Sequence, residues 1–87
     1  AMPIAWGKVK DGQVLTAPIE GVVHAWKDNG DVLFKTPKFG RRVTGMSWKP
    51  DGSVLSVADE EGKRHFFGPD GKSLGTVDTK DGDPRMT

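Results

Sequence analysis

The sequence predicts an all-β protein built from two copies of one repeat. Twelve glycines and six prolines divide the 87 residues into short runs rich in Val, Leu, Phe and Trp. No window of a dozen residues keeps its apolar side chains at helical spacing. Tight hairpin turns require a positive φ, which is supplied by the Asx-Gly pairs Asp11-Gly12, Asn29-Gly30, Asp51-Gly52 and Asp70-Gly71.

Eight strands fit between these turns. The first four predicted strands are residues 4–9, 13–18, 21–26 and 31–36, and the next four are 43–48, 53–58, 63–67 and 72–77. An Asx-Gly turn follows the first, third, fifth and seventh strands, and the acidic-plus-glycine turn Glu61-Gly62 follows the sixth. The segment KTPKFGRR, residues 35–42, connects the two halves.

The chain repeats itself with a period of about 42 residues. The stretch DGQVLT at residues 11–16 aligns with DGSVLS at residues 51–56, at an offset of 40. After one extra residue near Glu61, Gly21, His24, Trp26, Gly30 and Leu33 fall on Gly62, His65, Phe67, Gly71 and Leu74. Trp6 aligns with Trp48. We therefore predict one unit at residues 3–44 and a second at residues 45–87, within a single domain.

The two ends of the chain also match the junction between the units. Residues 3–6 align with residues 45–48, and residues 85–87 align with residues 42–44. Such a cut after two whole periods fits a natural short protein, a fragment of a longer repeat protein, or an engineered pair of units. The leading Ala1-Met2 is typical of what protease cleavage and a cloning site leave behind, and we set it aside.

Residues 43–77, VTGMSWKPDGSVLSVADEEGKRHFFGPDGKSLGTV, carry the features of a known repeat. A strand ends in Ser-Trp, a Pro-Asp-Gly turn and an acidic-plus-glycine turn follow, and a later strand closes on an aromatic residue. In these features the unit resembles a WD repeat, the four-stranded blade of a β-propeller, over residues 3 to 87. It departs from that family between the units, where KTPKFGRR and TVDTKDGDP replace Gly-His. The family's buried Asp–His–Ser–Trp network is therefore not carried over.

Two blades are too few to close a propeller ring. The resemblance implies a position in a blade for each strand. Starting at residue 4, the strands are the second, third and fourth strands of one blade and then the first strand of the next, and this order occurs twice. The resemblance makes residues 72–77 the innermost strand of a third blade, which is expected to pair with strand 4–9 of another copy. Open strand edges and an apolar blade face favour such association. Propellers typically have about four to eight blades, so head-to-tail closure predicts a six-bladed homotrimer, with an eight-bladed homotetramer next.

Composition excludes several classes of function. Thirteen basic and twelve acidic residues give a formal net charge of +1, which provides no general attraction for nucleic acid or anionic lipid. No apolar run approaches the roughly 20 residues that span a bilayer, and the first residues do not form a signal peptide. We therefore expect a cytoplasmic protein without nucleic-acid or membrane partners. The chain has no cysteine, so association with other copies is expected to stabilise this small domain.

Four aromatic residues occupy equivalent places ahead of the Asx-Gly turns: Trp6, Trp26, Trp48 and Phe67. Large aromatic side chains supply much of the buried area in small proteins, so we predict a structural role between the blades. The alternative is that these residues line carbohydrate sites, because an aromatic face stacks on sugar C–H groups.

His24 and His65 also match in the two units. Neither has a carboxylate or a second histidine at ligand spacing, which favours structural histidines over metal-binding or acid–base ones. The turn residues Asp11, Asn29, Asp51 and Asp70 are explained by bonds to their own turn backbone, and DGQVL and DGSVL lack the alternating oxygen ligands of a calcium site. We predict no catalytic residue, no cofactor and no metal site.

One basic segment is the candidate partner-binding site, and it comprises Lys35, Lys38, Phe39, Arg41 and Arg42. Several copies on one face of a ring would concentrate its charge. The alternative is that these cations pair with Asp59, Glu60 and Glu61. The predicted function is a non-catalytic, self-assembling scaffold that binds another protein. The alternative is a multivalent carbohydrate-binding lectin with sites between blades.

Overall fold

The computed structural model describes residues 3–10 and 12–78, which form two antiparallel four-stranded sheets. Sheet 1 contains β1 (Ala5–Val9), β2 (Gly12–Ile19), β3 (Val22–Lys27) and β4 (Val32–Lys35). Sheet 2 contains β5 (Val43–Trp48), β6 (Leu55–Asp59), β7 (Lys63–Phe67) and β8 (Ser73–Asp78). The prediction of an all-β chain with eight strands is confirmed. Within the described residues, no helix is long and apolar enough to cross a bilayer.

Three of the predictions concern residues outside this description. They are the assignment of Ala1-Met2 as a cloning remnant, the Asp11 half of the first turn, and the match of residues 85–87 to residues 42–44.

Each sheet is a meander whose strands follow one another in chain order, β1-β2-β3-β4 and β5-β6-β7-β8. The two sheets approach each other through their first strands, β1 and β5. The prediction that residues 72–77 form the innermost strand of a third blade is therefore wrong, because β8 pairs with β7 as the fourth strand of sheet 2. A repeat fixes the succession of strands, but only the hydrogen bonds decide where one sheet ends and the next begins.

The strand registers confirm the internal repeat. In sheet 1, Trp6 lies opposite Leu15, which lies opposite Trp26. In sheet 2, Trp48 lies opposite Leu55, which lies opposite Phe67. His24 faces Ala17 and His65 faces Val57 in the same relation. Residues directly opposite each other share a face of the sheet, so equivalent side chains occupy equivalent faces.

The hydrophobic core lies between the two sheets. Sheet 1 contributes the face that carries Val14, Val23, Ala25 and Phe34, and sheet 2 contributes the face that carries Leu55, Val57 and Phe67. Val14, Val23, Leu55 and Val57 are completely buried. We call these two surfaces the covered faces. The opposite surfaces, which face away from the other sheet, are the open face of sheet 1 and the open face of sheet 2.

Three glycines allow the two sheets to approach closely. A Cβ placed on Gly7 would lie 2.5 Å from Cγ of Trp48, and one on Gly71 would lie 2.7 Å from Cγ of Phe34. A Cβ on Gly52, which has a φ of +75°, would collide with the backbone carbonyl of Lys8. Each glycine comes from one sheet and meets a residue of the other. The spacing of the two sheets therefore depends on missing side chains at these positions.

Candidate interaction site

Residues 36–42 connect β4 to β5 and form a strap across the junction of the two sheets. Thr36 donates its backbone N–H to the carbonyl of Val23 over 3.0 Å, and its Oγ1 accepts the N–H of Val23 over 3.0 Å. Phe39 donates its N–H to the carbonyl of Gly21 over 2.8 Å. These bonds attach the first half of the strap to sheet 1.

The second half of the strap is attached to the β6–β7 turn of sheet 2. Arg42 donates its backbone N–H to Oε2 of Glu60 over 3.0 Å, and the N–H of Glu60 returns to the carbonyl of Arg42 over 2.9 Å. Arg41 forms an ion pair with Glu61 at 3.1 Å. The predicted alternative, in which the basic segment pairs with the acidic turn, is therefore found for Arg41 with Glu61. In the case of Glu60, the partner is the backbone of Arg42.

The five residues of the candidate partner-binding site have different surroundings. Phe39 is half-buried, and its ring packs edge-on against His65, with centroids 4.8 Å apart, and against Phe67 at 6.1 Å. Lys35, Lys38 and Arg42 are exposed. Arg41 is also exposed, in its ion pair with Glu61. Phe39 thus fills space at the junction where the strap crosses the sheets, and all four cations remain on the surface.

Asp59 and His65 form a buried pair that the sequence analysis missed. Oδ2 of Asp59 accepts a hydrogen bond from Nε2 of His65 over 3.0 Å, and Oδ1 accepts the backbone N–H groups of Glu61 and Lys63 over 2.9 and 3.1 Å. Asp59 is 6% exposed. Burial raises the pKa of Asp59, but the bonds from His65, Lys63 and Glu61 outweigh it and hold the pKa below its ordinary value of 3.8.

The Asp59–His65 pair links the end of β6 to β7 and to the turn between them. The spacing of residues along the chain does not reveal this pair, because Asp59 and His65 are six positions apart and meet only when the hairpin forms. Sheet 1 has no counterpart. Ile19 takes the place of Asp59, and Nδ1 of His24 bonds to the carbonyl of Val22 over 3.0 Å. The two histidines are therefore equivalent in position but not in surroundings.

The four equivalent aromatic residues divide into a covered pair and an open pair. Phe67 lies in the core and Trp48 packs against it, with the Trp48 ring 6.3 Å from that of Phe34. Trp26 is half-buried on the open face of sheet 1, where it stacks on His24 at 5.5 Å. Trp6 is 65% exposed. Trp6 lies on the open face of sheet 1, and its structural role between blades stays a prediction.

Among the clefts at the junction, two are lined by aromatic side chains of the described residues. One, of about 440 Å³, is lined by the strap and sheet 2, with Lys38, Phe39, His65 and Phe67 among its residues. The other, of about 300 Å³, lies at the opposite end between β1 and β5, and it is lined by Trp6, Lys8, Gln13, Trp48 and Lys49 among others. Both clefts combine aromatic rings with cations, which suits a binding surface better than a reaction centre.

The turn residues are occupied by their own backbone. Oδ1 of Asp51 accepts bonds from the N–H and hydroxyl of Ser53, at 2.9 and 2.6 Å, and these bonds lower the pKa of Asp51. Oδ1 of Asp70 and Oδ1 of Asn29 each accept the N–H two residues further on, both over 2.9 Å. In residues 3–10 and 12–78, no three His, Asp or Glu side chains are grouped to hold a metal ion.

Solved structures share this arrangement of sheets. The Kluyveromyces lactis protein Hsv2 with its loop 6CD replaced by a Gly-Ser linker aligns with 86% of this chain at a TM-score of 0.69 and 21% identity. Hsv2 with the complete loop 6CD aligns with 74% of the chain at a TM-score of 0.59 and 20% identity. The chain covers only 27% and 21% of those two proteins. A search of the curated proteins finds no match.

The family comparison agrees with the two-sheet architecture. Residues 5–85 match the model of the anaphase-promoting complex subunit 4 WD40 domain. This range includes every strand described above. The resemblance of the repeat to a WD unit is thus confirmed, and sheets 1 and 2 are two adjacent propeller blades. The chain belongs to the anaphase-promoting complex subunit 4 WD40 domain family.

Proposed function

We propose that this chain is a non-catalytic scaffold in which two WD40 blades are completed to a full propeller by further copies of the chain. The observation that carries the proposal is the exposure of Trp6, which is 65% exposed although its equivalent, Trp48, packs in the junction. A blade face with a large exposed aromatic residue is stabilised when another blade covers it. In this proposal the copies associate through their blade faces. The sequence had instead led us to expect that residues 72–77 pair with strand 4–9 of another copy.

Ring size follows from the number of blades per chain. Propellers have about four to eight blades, so chains with two blades close as a dimer, trimer or tetramer. We favour the six-bladed homotrimer and place the eight-bladed homotetramer next. In either ring, the junction between copies repeats the junction within the chain.

Partner binding is proposed at the strap. Lys38 and Arg42 of the strap and Lys35 at the end of β4 are exposed, whereas Arg41 forms an ion pair with Glu61. A closed ring presents one such group per copy on the same rim, so an acidic protein segment would meet several groups at once and gain avidity. This is the surface on which we expect an interacting protein to bind.

The mass of the protein in solution tests the proposal. Light scattering behind a sizing column, over a hundredfold range of concentration, is expected to give three times the mass of the chain, or four times for the larger ring. A particle with the mass of one chain at every concentration would overturn self-assembly. A continuous series of growing masses would instead show that the blades stack without closing.

A second function, carbohydrate binding between blades, is favoured by one specific observation. Trp6 and Trp48 line the same cleft together with Lys8 and Gln13, and an exposed indole face beside polar side chains suits a sugar. The two functions compete for Trp6, because ring closure covers it. Glycan-array binding that is lost in Trp6→Ala would support the lectin function, and an array without binding at millimolar avidity would refute it.

A further inference from the structure

Exposed apolar side chains are concentrated at the two ends of the blade pair. Among the described residues, the large apolar side chains with the greatest exposure are Ile4, Trp6, Ile19 and Val32 in sheet 1, and Leu74 and Val77 on β8 of sheet 2. Trp6 and Val32 share the open face of sheet 1, since Trp6, Leu15, Trp26 and Val32 are successive cross-strand neighbours. The corresponding row of sheet 2, which starts with Trp48, is covered by sheet 1.

The junction within the chain shows what the open face of sheet 1 would need. Trp48 lies between Gly7, whose missing side chain makes room for the indole, and Phe34, whose ring is 6.3 Å from it. A Cβ on Gly71 would also collide with Phe34, whereas a Cβ on its equivalent at the open end, Gly30, would meet nothing within 4 Å. Sheet 1 therefore carries the first half of a second such junction, with Trp6 and Gly30 in place.

The open face of sheet 2 carries the matching half in altered form. Lys49 corresponds to Gly7, because each follows the equivalent tryptophan. Gly75 corresponds to Phe34, because Gly75 lies opposite Phe66 and Phe34 lies opposite the equivalent residue, Ala25. Trp48 lies between Gly7 and Phe34, whereas Trp6 would lie between Lys49 and Gly75. The small and the large neighbour of the tryptophan are therefore exchanged. A Cβ on Gly75 would meet nothing within 4 Å, so the space is free. The face of sheet 2 thus keeps one phenylalanine ring, at the position of Ala25 instead of Phe34, and gains a lysine side chain at the position of Gly7.

The charged positions of this face are compatible with contact. Lys49 would lie against the indole of Trp6, where an ammonium group is attracted by the aromatic ring. Arg64, which takes the place of the buried Val23, lies next to the β6–β7 turn, so its long side chain can place the guanidinium beyond the rim. Val77 and Phe66 provide apolar area on the same face.

We propose that the open face of sheet 1 docks on the open face of sheet 2 of a second copy, with Trp6 seated between Lys49 and Gly75 of that copy. The proposal rests on the function proposed above, and it names the contact through which the copies associate. It is a heterologous contact, because each copy offers two different surfaces. Such a contact can repeat around a ring.

Two substitutions on opposite faces test the contact. Trp6→Glu and Lys49→Glu are each expected to raise the concentration needed for assembly about tenfold or more, as measured by light scattering. Lys49→Arg is expected to retain assembly because it keeps the cation on the indole. Lys27→Glu makes the same charge change at an exposed lysine that lies outside both open faces, opposite Val14, and it serves as the matched control. Both side chains of the contact are exposed, so circular dichroism of each variant is expected to equal that of the wild type.

The outcomes separate this contact from the proposed ring. Loss of assembly in Trp6→Glu and Lys49→Glu, with assembly retained in Lys49→Arg and Lys27→Glu, supports the contact. Assembly that is unaffected by both glutamate substitutions would overturn the contact and leave the ring standing. A wild-type protein with the mass of one chain would overturn both.

Discussion

Replacing Gly7 with alanine tests whether the two blades are held at a distance that a single methyl group disturbs. Its Cβ would lie 2.5 Å from Cγ of Trp48 and 2.7 Å from both Cβ and Cδ1. Carbon atoms rest at about 3.5–4.0 Å, so the methyl group overlaps the indole by about 1 Å. Overpacking of this kind costs about 1–3 kcal/mol, and the reduced freedom of the unfolded chain returns about 0.4–1 kcal/mol. We expect Gly7→Ala to lower the free energy of unfolding by about 1–2 kcal/mol.

Urea denaturation followed by tryptophan fluorescence measures this loss. A slope of about 1 kcal/mol per molar urea turns it into a midpoint lower by about 1–2 M. Gly45→Ala is the matched control, because Gly45 also lies in a strand but its Cβ would meet nothing within 4 Å. We expect this control to change the midpoint little or to raise it. Equal midpoints for the two variants would refute the claim that Gly7 sets the blade spacing.

Three further predictions concern single side chains of the junction and strap. Trp48→Phe is expected to cost less than about 1.5 kcal/mol in urea denaturation, against about 3–5 kcal/mol for Trp48→Ala, because the buried indole N–H finds no acceptor among the described residues. Asp59→Asn is expected to cost about 1–3 kcal/mol at neutral pH. The lowered pKa of Asp59 means that its stabilisation is complete above 3.8 and is lost as the pH falls through the folded-state pKa. The melting temperatures of the wild type and of Asp59→Asn should therefore approach each other as the pH falls from about 6 to about 3. A difference that stays constant would contradict this account. The Arg41–Glu61 pair is exposed, so a double-mutant cycle to alanine is expected to give less than about 1 kcal/mol of coupling, and a larger value would show that the strap depends on it.

The positions of the strands could be predicted because turn chemistry and strand period are local. Asx-Gly pairs such as Asn29-Gly30 mark the ends of strands, and the Trp6–Trp48 match revealed the repeat. The assignment of strands to blades could not be predicted in the same way. Residues 72–77 can follow β7 in one sheet or begin another, and both arrangements have the same order of strands along the chain. The hydrogen bonds between β7 and β8 decide the choice.

The candidate site shows the same limit. The charges of the strap were evident from the sequence, and its ion pair between Arg41 and Glu61 matched one of the two alternatives. The packing of Phe39 against His65 was not evident, since it depends on how the strap crosses the junction. The Asp59–His65 bond was missed for a related reason, because a hairpin brings together residues whose spacing along the chain resembles no ligand motif.

The exposure of Trp6 in the single chain and in the assembly tests the central claim most directly. Fluorotryptophan labelling gives one ¹⁹F signal for each of the three tryptophans, and Trp6→Phe identifies the signal of Trp6. The account predicts that this signal responds to the solvent isotope at low concentration and loses the response as the protein assembles, while the Trp48 signal is unchanged. A Trp6 signal that stays equally solvent-exposed in a fully formed assembly would contradict it.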